Sequence, residues 1–277
     1  MDYKRILTVQ DISCLGQCSM TVAMPILSAC GHETCILPSA VLSTHTGGFK
    51  GFTFRDLCED FPAITDHWVS EGIFFDAIYT GYLGNSKQVD YVCDIAKRCL
   101  TPGGRMIVDP AMADNGKLYT GFDDGYVAKM RELCAVADVV LPNVTEASLL
   151  TGLPYRESYD EEYTSALTQA LLGLGAKSVV LTGISYKPGT TGVLVWENGS
   201  SRYYRHEKLS KSFHGTGDIY SSAFAGMLLC GRETYDAARI AADFTVACMR
   251  NTMDDDKHWY GVKFEPCLGI LTAAAAK

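Results

Sequence analysis

The chain of 277 residues carries a formal net charge of −8, with 24 Lys and Arg against 32 Asp and Glu, and no basic cluster interrupts that balance. A polyanionic backbone is repelled by such a surface, which excludes nucleic acid as a partner. A small phosphorylated ligand is not excluded, because backbone amides and one or two metal ions neutralise it without basic side chains.

A hydrophobic share of 47% supports a sizeable core, and one α/β domain over residues 1–277 is expected. The eleven cysteines have neither zinc-finger spacing nor the density of a disulfide-stapled chain, so they read as reduced thiols, mostly core fillers. No segment reads as a signal peptide or a membrane span, and the expected location is the cytoplasm, away from membranes.

Short apolar runs alternate with longer stretches of helical spacing, a βαβ rhythm. Strands are predicted at 5–9, 33–38, 75–80, 105–109, 138–142 and 177–182. Helices are predicted at 19–30, with Ser19 as N-cap and Gly31 just past the end, at 54–70, and at 86–99, where Val89, Val92, Cys93 and Ala96 share a face. Two apolar runs within 192–207 flank Asn198-Gly199, which predicts an antiparallel hairpin with a type I′ turn. Helices follow from 217, with 234–250 strongly patterned, and AAAAK ends the chain as a frayed tail or helix end.

Polar residues gather where strands stop: Asp11, Asp109, Asn143 and Thr182. On an open parallel sheet that edge faces the ligand crevice, although strand ends also turn polar merely because they meet loops.

The stretch HGTGDIYSSAFAG (214–226) adds a second signal. Gly215 and Gly217 permit a tight backbone approach, and the small apolar residues that follow read as a buried helix whose N-terminal amides attract an anion. It is neither a Walker A loop nor a dinucleotide fingerprint. Taken alone, Asp218 reads either as a helix cap, worth about 1 kcal/mol, or as the base that takes a proton from an acceptor hydroxyl beside a bound phosphate.

GTGD ahead of a small-residue helix resembles the signature of the ribokinase superfamily. ILTVQDISCLGQCSMTVAMPILSACG (6–31), AVLSTHTGGFKGF (40–52), YTGYLGNSKQ (79–88), VDPAMADNGKLY (108–119) and LPNVTEASLLTG (141–152) are similar, in the same order, to segments of pyridoxal and pyridoxamine kinases. The resemblance spans nearly the whole chain. It implies a three-layer α/β/α sandwich around a mostly parallel sheet, without a separate lid domain. It also implies a homodimer that uses ATP, magnesium and a monovalent cation, potassium or sodium, to phosphorylate the 5′-hydroxymethyl group of a vitamin B6 compound.

Carried over residue by residue, the resemblance makes Asp218 the catalytic base and Gly215, Thr216 and Gly217 the anion hole. Asp109 and Asp114 match an acidic pair near phosphates and metal, Asn143 and Glu146 the residues of the magnesium-water network, and Thr182 a nucleotide contact. Thr46 and Tyr82 match the acceptor pocket; His45 reads as a loop residue holding backbone, and Tyr119 as either a phosphate contact or packing. The sequence departs from the family in two places. Asp11 stands where many members have serine, which points to a contact with a cationic vitamer, and GGFKGF replaces the usual loop wording. Hydroxymethylpyrimidine kinases typically have cysteine in place of Asp218. Sugar kinases carry an extra β lid that this spacing leaves little room for, and a non-catalytic B6 binder has no need of Asp218, Glu146 and the glycines together.

Overall fold

A computed structural model describes residues 3–276. Its strands are β1 (Arg5–Ser13), β2 (Glu33–Leu42), β3 (Phe54–Asp56), β4 (Phe75–Thr80), β5 (Leu100–Val108), β6 (Ala113–Asp114), β7 (Lys117–Leu118), β8 (Val139–Val140), β9 (Ser178–Ile184), β10 (Thr190–Glu197) and β11 (Ser200–Glu207). The α-helices are α1 (Met20–Ala29), α2 (Phe61–Ser70), α3 (Ser86–Cys99), α4 (Asp124–Ala135), α5 (Val144–Thr151), α6 (Glu161–Leu174), α7 (Thr216–Leu229), α8 (Thr234–Thr252) and α9 (Leu268–Ala275).

Nine strands form one sheet in the order β11-β10-β9-β8-β5-β4-β1-β2-β3, and β6 and β7 form a separate small hairpin. The six strands from β2 to β9 in that order are parallel neighbours; at the edges β3 pairs antiparallel with β2, β10 with β9, and β11 with β10. From β1 the chain goes to β2 on one side and returns to β4 on the other. Strand order therefore reverses at the β1/β4 junction, where an open parallel sheet splays its loops into a crevice.

One face of the sheet packs a core with α2 to α6, built around Phe61, Phe75, Ile95 and Met130; the other packs α1, α7, α8 and α9 around Phe224, Phe244 and Phe264. This is the expected three-layer sandwich. Helix α7 is buried from Ile219 to Leu228, and its small residues let neighbours come close: a Cβ on Gly226 would meet Cys30 Sγ at 2.5 Å. Full burial of Ile219, Phe224 and Met227 stabilises the fold by about 1.5–3 kcal/mol each.

The hairpin is as predicted: Glu197 pairs with Ser200, and Asn198 and Gly199 both have positive φ, 52° and 77°, as a type I′ turn requires. Other boundaries differ. Residues 54–56, expected to begin a helix, pair antiparallel with Ala40–Leu42 because β2 runs beyond 38 and offers an edge; the helix starts at Phe61, with Pro62 in its first turn. Strand β1 likewise continues past 9 to Ser13. Ser19 precedes α1 but makes no side-chain cap bond. Within the AAAAK tail, α9 reaches Ala275, and Lys277 lies outside the described residues. Among the described residues no helix is long and apolar enough to cross a membrane.

Candidate active site

Gly215, at φ 79°, turns the chain into α7. A side chain there is doubly opposed, by that left-handed backbone and by Gln17 O, which a Cβ would meet at 1.9 Å. Ile219 is the first residue of α7 whose N–H reaches an intrahelical carbonyl, that of Gly215 at 3.0 Å. The amides ahead of it are left for an anion at the positive end of the helix dipole. Asp218 projects from this first turn, with Tyr79 Oη, Ser221 Oγ and Gly217 O chained behind it at 2.6 and 2.8 Å.

Asp218 is joined in the crevice by Asp11, Asp109 and Glu146, from β1, the β5 end and α5. Like charges so placed raise proton affinity: Asp109 acts on Asp218 and Glu146, and Asp11 on Asp218. Burial, then the charges of Asp109 and Asp11, push Asp218 up to about 7 against the Ser19 N–H. The residue as a whole is half-buried. Burial pushes Asp109 up to about 6 against the Ser221 hydroxyl. Glu146 is held well above the usual carboxylate range, by burial first and Asp109 second.

Glu146 and Asn143 form a capping box, each side chain accepting the other's N–H at 2.9 Å. The second Glu146 oxygen accepts the Met112 N–H at 3.1 Å, and the Asn143 amide donates to Ala113 O at 2.9 Å. The pair thus bolts the segment after Asp109 onto α5. Asp114, expected with Asp109 near phosphates and metal, accepts the N–H and side-chain amide of Asn115, at 2.8 and 2.9 Å, within the small hairpin. Tyr119 is exposed, while its phenol is raised by desolvation first and then by the charges of Glu146, Asp114, Asp109 and Asp218.

On the acceptor side, Asp11 is buried, accepts a bond from Ser13 Oγ at 3.0 Å, and is raised by burial. Tyr82, pushed up to about 12 by burial and then by Asp11 and Asp56, lies near it. Thr46 is exposed in a loop fixed by its neighbour His45: Nδ1 accepts the Gly47 N–H at 3.0 Å, so Nε2 carries the proton and donates to Tyr260 O at 2.6 Å. His45 therefore holds backbone, as the sequence reading had it. Phe49 packs on Trp259 at 4.7 Å, a loop-to-loop contact that no local pattern announces. Cys18 is another neighbour the sequence reading missed, close enough to Asp218 and Asp11 to feel both charges.

Across the crevice, a cavity of about 480 Å³ is lined by Asp114, Asn143, Thr182, Tyr155, Tyr159, Tyr186, Lys187 and Lys208 among others. Its size suits a small ligand. It unites three of the residues expected at the nucleotide; Lys187 and Lys208 join from the β9–β10 connection and the end of β11, positions without a motif.

A half-buried aspartate on the first turn of a buried helix, together with a ligand-sized cavity on an open, mostly parallel sheet, is the layout of a small-molecule kinase. The chain belongs to the phosphomethylpyrimidine kinase family, whose model matches residues 29–262. A Bacteroides thetaiotaomicron protein assigned as a phosphomethylpyrimidine kinase, solved in an orthorhombic form with pyridoxal, is 36% identical with a TM-score of 0.92, over 98% of this chain and 96% of that one. Pyridoxal kinase from Lactobacillus plantarum is 30% identical with a TM-score of 0.91, over 98% of each chain. Pyridoxal kinase of Arabidopsis thaliana is 27% identical over 92% of this chain and 84% of its own length.

Proposed function

We propose that the protein, as a single catalytic unit, transfers the γ-phosphoryl group of ATP to the 5′-hydroxymethyl group of a vitamin B6 compound, with Asp218 as the base. The observation that carries this is the Asp218 carboxyl on the first turn of α7, pushed up to about 7, where its proton affinity matches a group that accepts a proton near neutral pH. The Bacteroides structure with pyridoxal and the two pyridoxal kinases supply the acceptor class. Asp11, buried, bonded to the Ser13 hydroxyl and without a salt bridge among the described residues, suits a vitamer bearing a protonated amine or ring nitrogen. Thr46 and Tyr82 complete that pocket.

In this reading ATP lies in the cavity along Asn143, Thr182 and Asp114, with Tyr119 over the phosphates. The amides of Gly215, Thr216 and Gly217 hold the charge of the transferring group while Asp218 draws the proton from the attacking hydroxyl. Among the described residues no three His, Cys, Asp or Glu cluster as a metal cage. Asp109, with Glu146 behind it through water, offers the hard oxygens that Mg²⁺ prefers when it keeps its own waters and phosphate ligands. Mg²⁺ would supply charge neutralisation there. The resemblance extends the proposal to a potassium or sodium ion, a homodimer and a cytoplasmic location.

A second reading, phosphorylation of a hydroxymethylpyrimidine, follows from the family that matches. An ATP-consumption assay with pyridoxal, pyridoxine, pyridoxamine and hydroxymethylpyrimidine separates the two. B6 turnover is expected; turnover of the pyrimidine alone would replace the first reading by the second. In Asp218→Asn, kcat should fall by about three orders of magnitude with ATP affinity kept. Asn caps a helix nearly as well as Asp, so surviving activity would reduce Asp218 to a cap.

A further inference from the structure

Three non-glycine residues among those described have positive φ: Ser19, Asn115 and Asn198. The two asparagines occupy hairpin turns, where that residue tolerates left-handed backbone. Ser19 does not. It is buried, with φ 54° and ψ −124°, a geometry that glycine adopts freely and an L-residue avoids unless its surroundings impose it. Helix α1 does not require a serine here: the Ser19 side chain makes no cap bond, and the helix begins on its carbonyl, which accepts Val22 and Ala23 N–H at 3.0 and 2.9 Å.

The surroundings of Ser19 join the two halves of the candidate site. An antiparallel bridge pairs it with Ile12, beside Asp11 at the end of β1. On the other side the segment before it is seated on the anion loop, since a Cβ on Gly215 would meet Gln17 O at 1.9 Å and Cys18 Sγ at 3.4 Å. From this place the Ser19 hydroxyl lies close enough to Asp11, and its N–H close enough to Asp218, for each to favour the charged carboxylate.

We propose that Ser19 is a positioning residue whose side chain and backbone fix the Asp11 and Asp218 carboxylates relative to each other, and that its strained backbone is retained for this. The proposal rests on the functional reading above, in which Asp11 meets the acceptor and Asp218 its hydroxyl. Glycine at position 19 would relieve the backbone and keep the N–H while losing the hydroxyl. Stability and acceptor handling should therefore move in opposite directions.

The test compares wild type, Ser19→Gly, Ser19→Ala and Asp11→Asn, with the double variant Ser19→Gly/Asp11→Asn, by thermal melting and by steady-state kinetics with ATP and pyridoxamine. Ser19→Gly should melt about 2–4 °C above wild type, yet lose about tenfold in kcat/KM for pyridoxamine, mainly through KM, with KM for ATP unchanged. Ser19→Ala, which keeps the strain, should lose the same tenfold without the gain in Tm. On the Asp11→Asn background, Ser19→Gly should change kcat/KM less than about twofold, because the charge that the hydroxyl orients is gone. A stable Ser19→Gly with wild-type kinetics, or an equal loss on both backgrounds, overturns the proposal alone. A wild-type protein that phosphorylates no B6 vitamer brings down the functional reading and this proposal with it.

Discussion

At the scale of single residues, the carboxyl of Asp218 gains from its neighbours the basicity that the proposed role requires. An exposed aspartate with its ordinary proton affinity is a weak base at neutral pH; burial and the charges of Asp109 and Asp11 lift this one to about 7. A base must be deprotonated to act, so raising its pKa moves the acid limb of the rate profile upward. For wild type, kcat/KM for the acceptor should fall about tenfold per pH unit below about 7 and level off above it. In Asp11→Asn one of the raising charges is gone, and the limb should move to lower pH. A profile measured from acid to alkaline conditions checks both statements, and a limb left near 4 in wild type would mean that the group titrating is not Asp218.

At the scale of elements, the start of α7 depends on two glycines that sequence alone does not distinguish. A Cβ on Gly215 would meet Gln17 O at 1.9 Å on a backbone at φ 79°, whereas one on Gly217 meets nothing within 4 Å. Gly215→Ala should therefore lower Tm by several degrees, by the strain of forcing a positive φ on alanine. Gly217→Ala should leave Tm within about a degree of wild type, and equal melting of the two variants would contradict the geometry. The same contrast shows what the sequence made legible. The βαβ rhythm, the Asn-Gly hairpin, the strand-end acids and the GTGD helix start are local patterns, and the structure has all of them. Residues 54–56 look helical in isolation and become a strand only because β2 presents an edge. Helices α4 and α6, announced by Asp123 and Asp160 as N-caps, carry mixed faces that periodicity passed over. Ser19 reads as a cap by type; its actual partners come from β1 and α7, and contacts of that range leave no local trace. The roles of Phe49, Cys18, Lys187 and Lys208 were hidden for the same reason.

At the scale of the whole molecule, concentrating carboxyls in one crevice reverses the usual dependence of stability on pH. Asp109 and Asp218 have an ordinary pKa of 3.8 and titrate at about 6 and about 7 when folded. Between these limits the native state binds more protons than the unfolded chain, so the stability these groups contribute is complete below about 3.8 and lost as pH rises through 6 and 7. The fold meets neutral pH with an electrostatic deficit at its own active site. The divalent cation proposed beside Asp109 would take over the neutralising role of the proton, and it could do so only where the carboxyl has given its proton up. The Tm increment produced by Mg²⁺ should accordingly be small at about pH 5 and grow by several degrees towards about pH 8. Asp109→Asn should melt higher than wild type at about pH 8 without Mg²⁺ and gain less from its addition. Thermal melts across that range, with Mg²⁺ and with a chelator, check the linkage, and an increment that is constant with pH or larger in acid would show that the cation does not bind at these carboxylates.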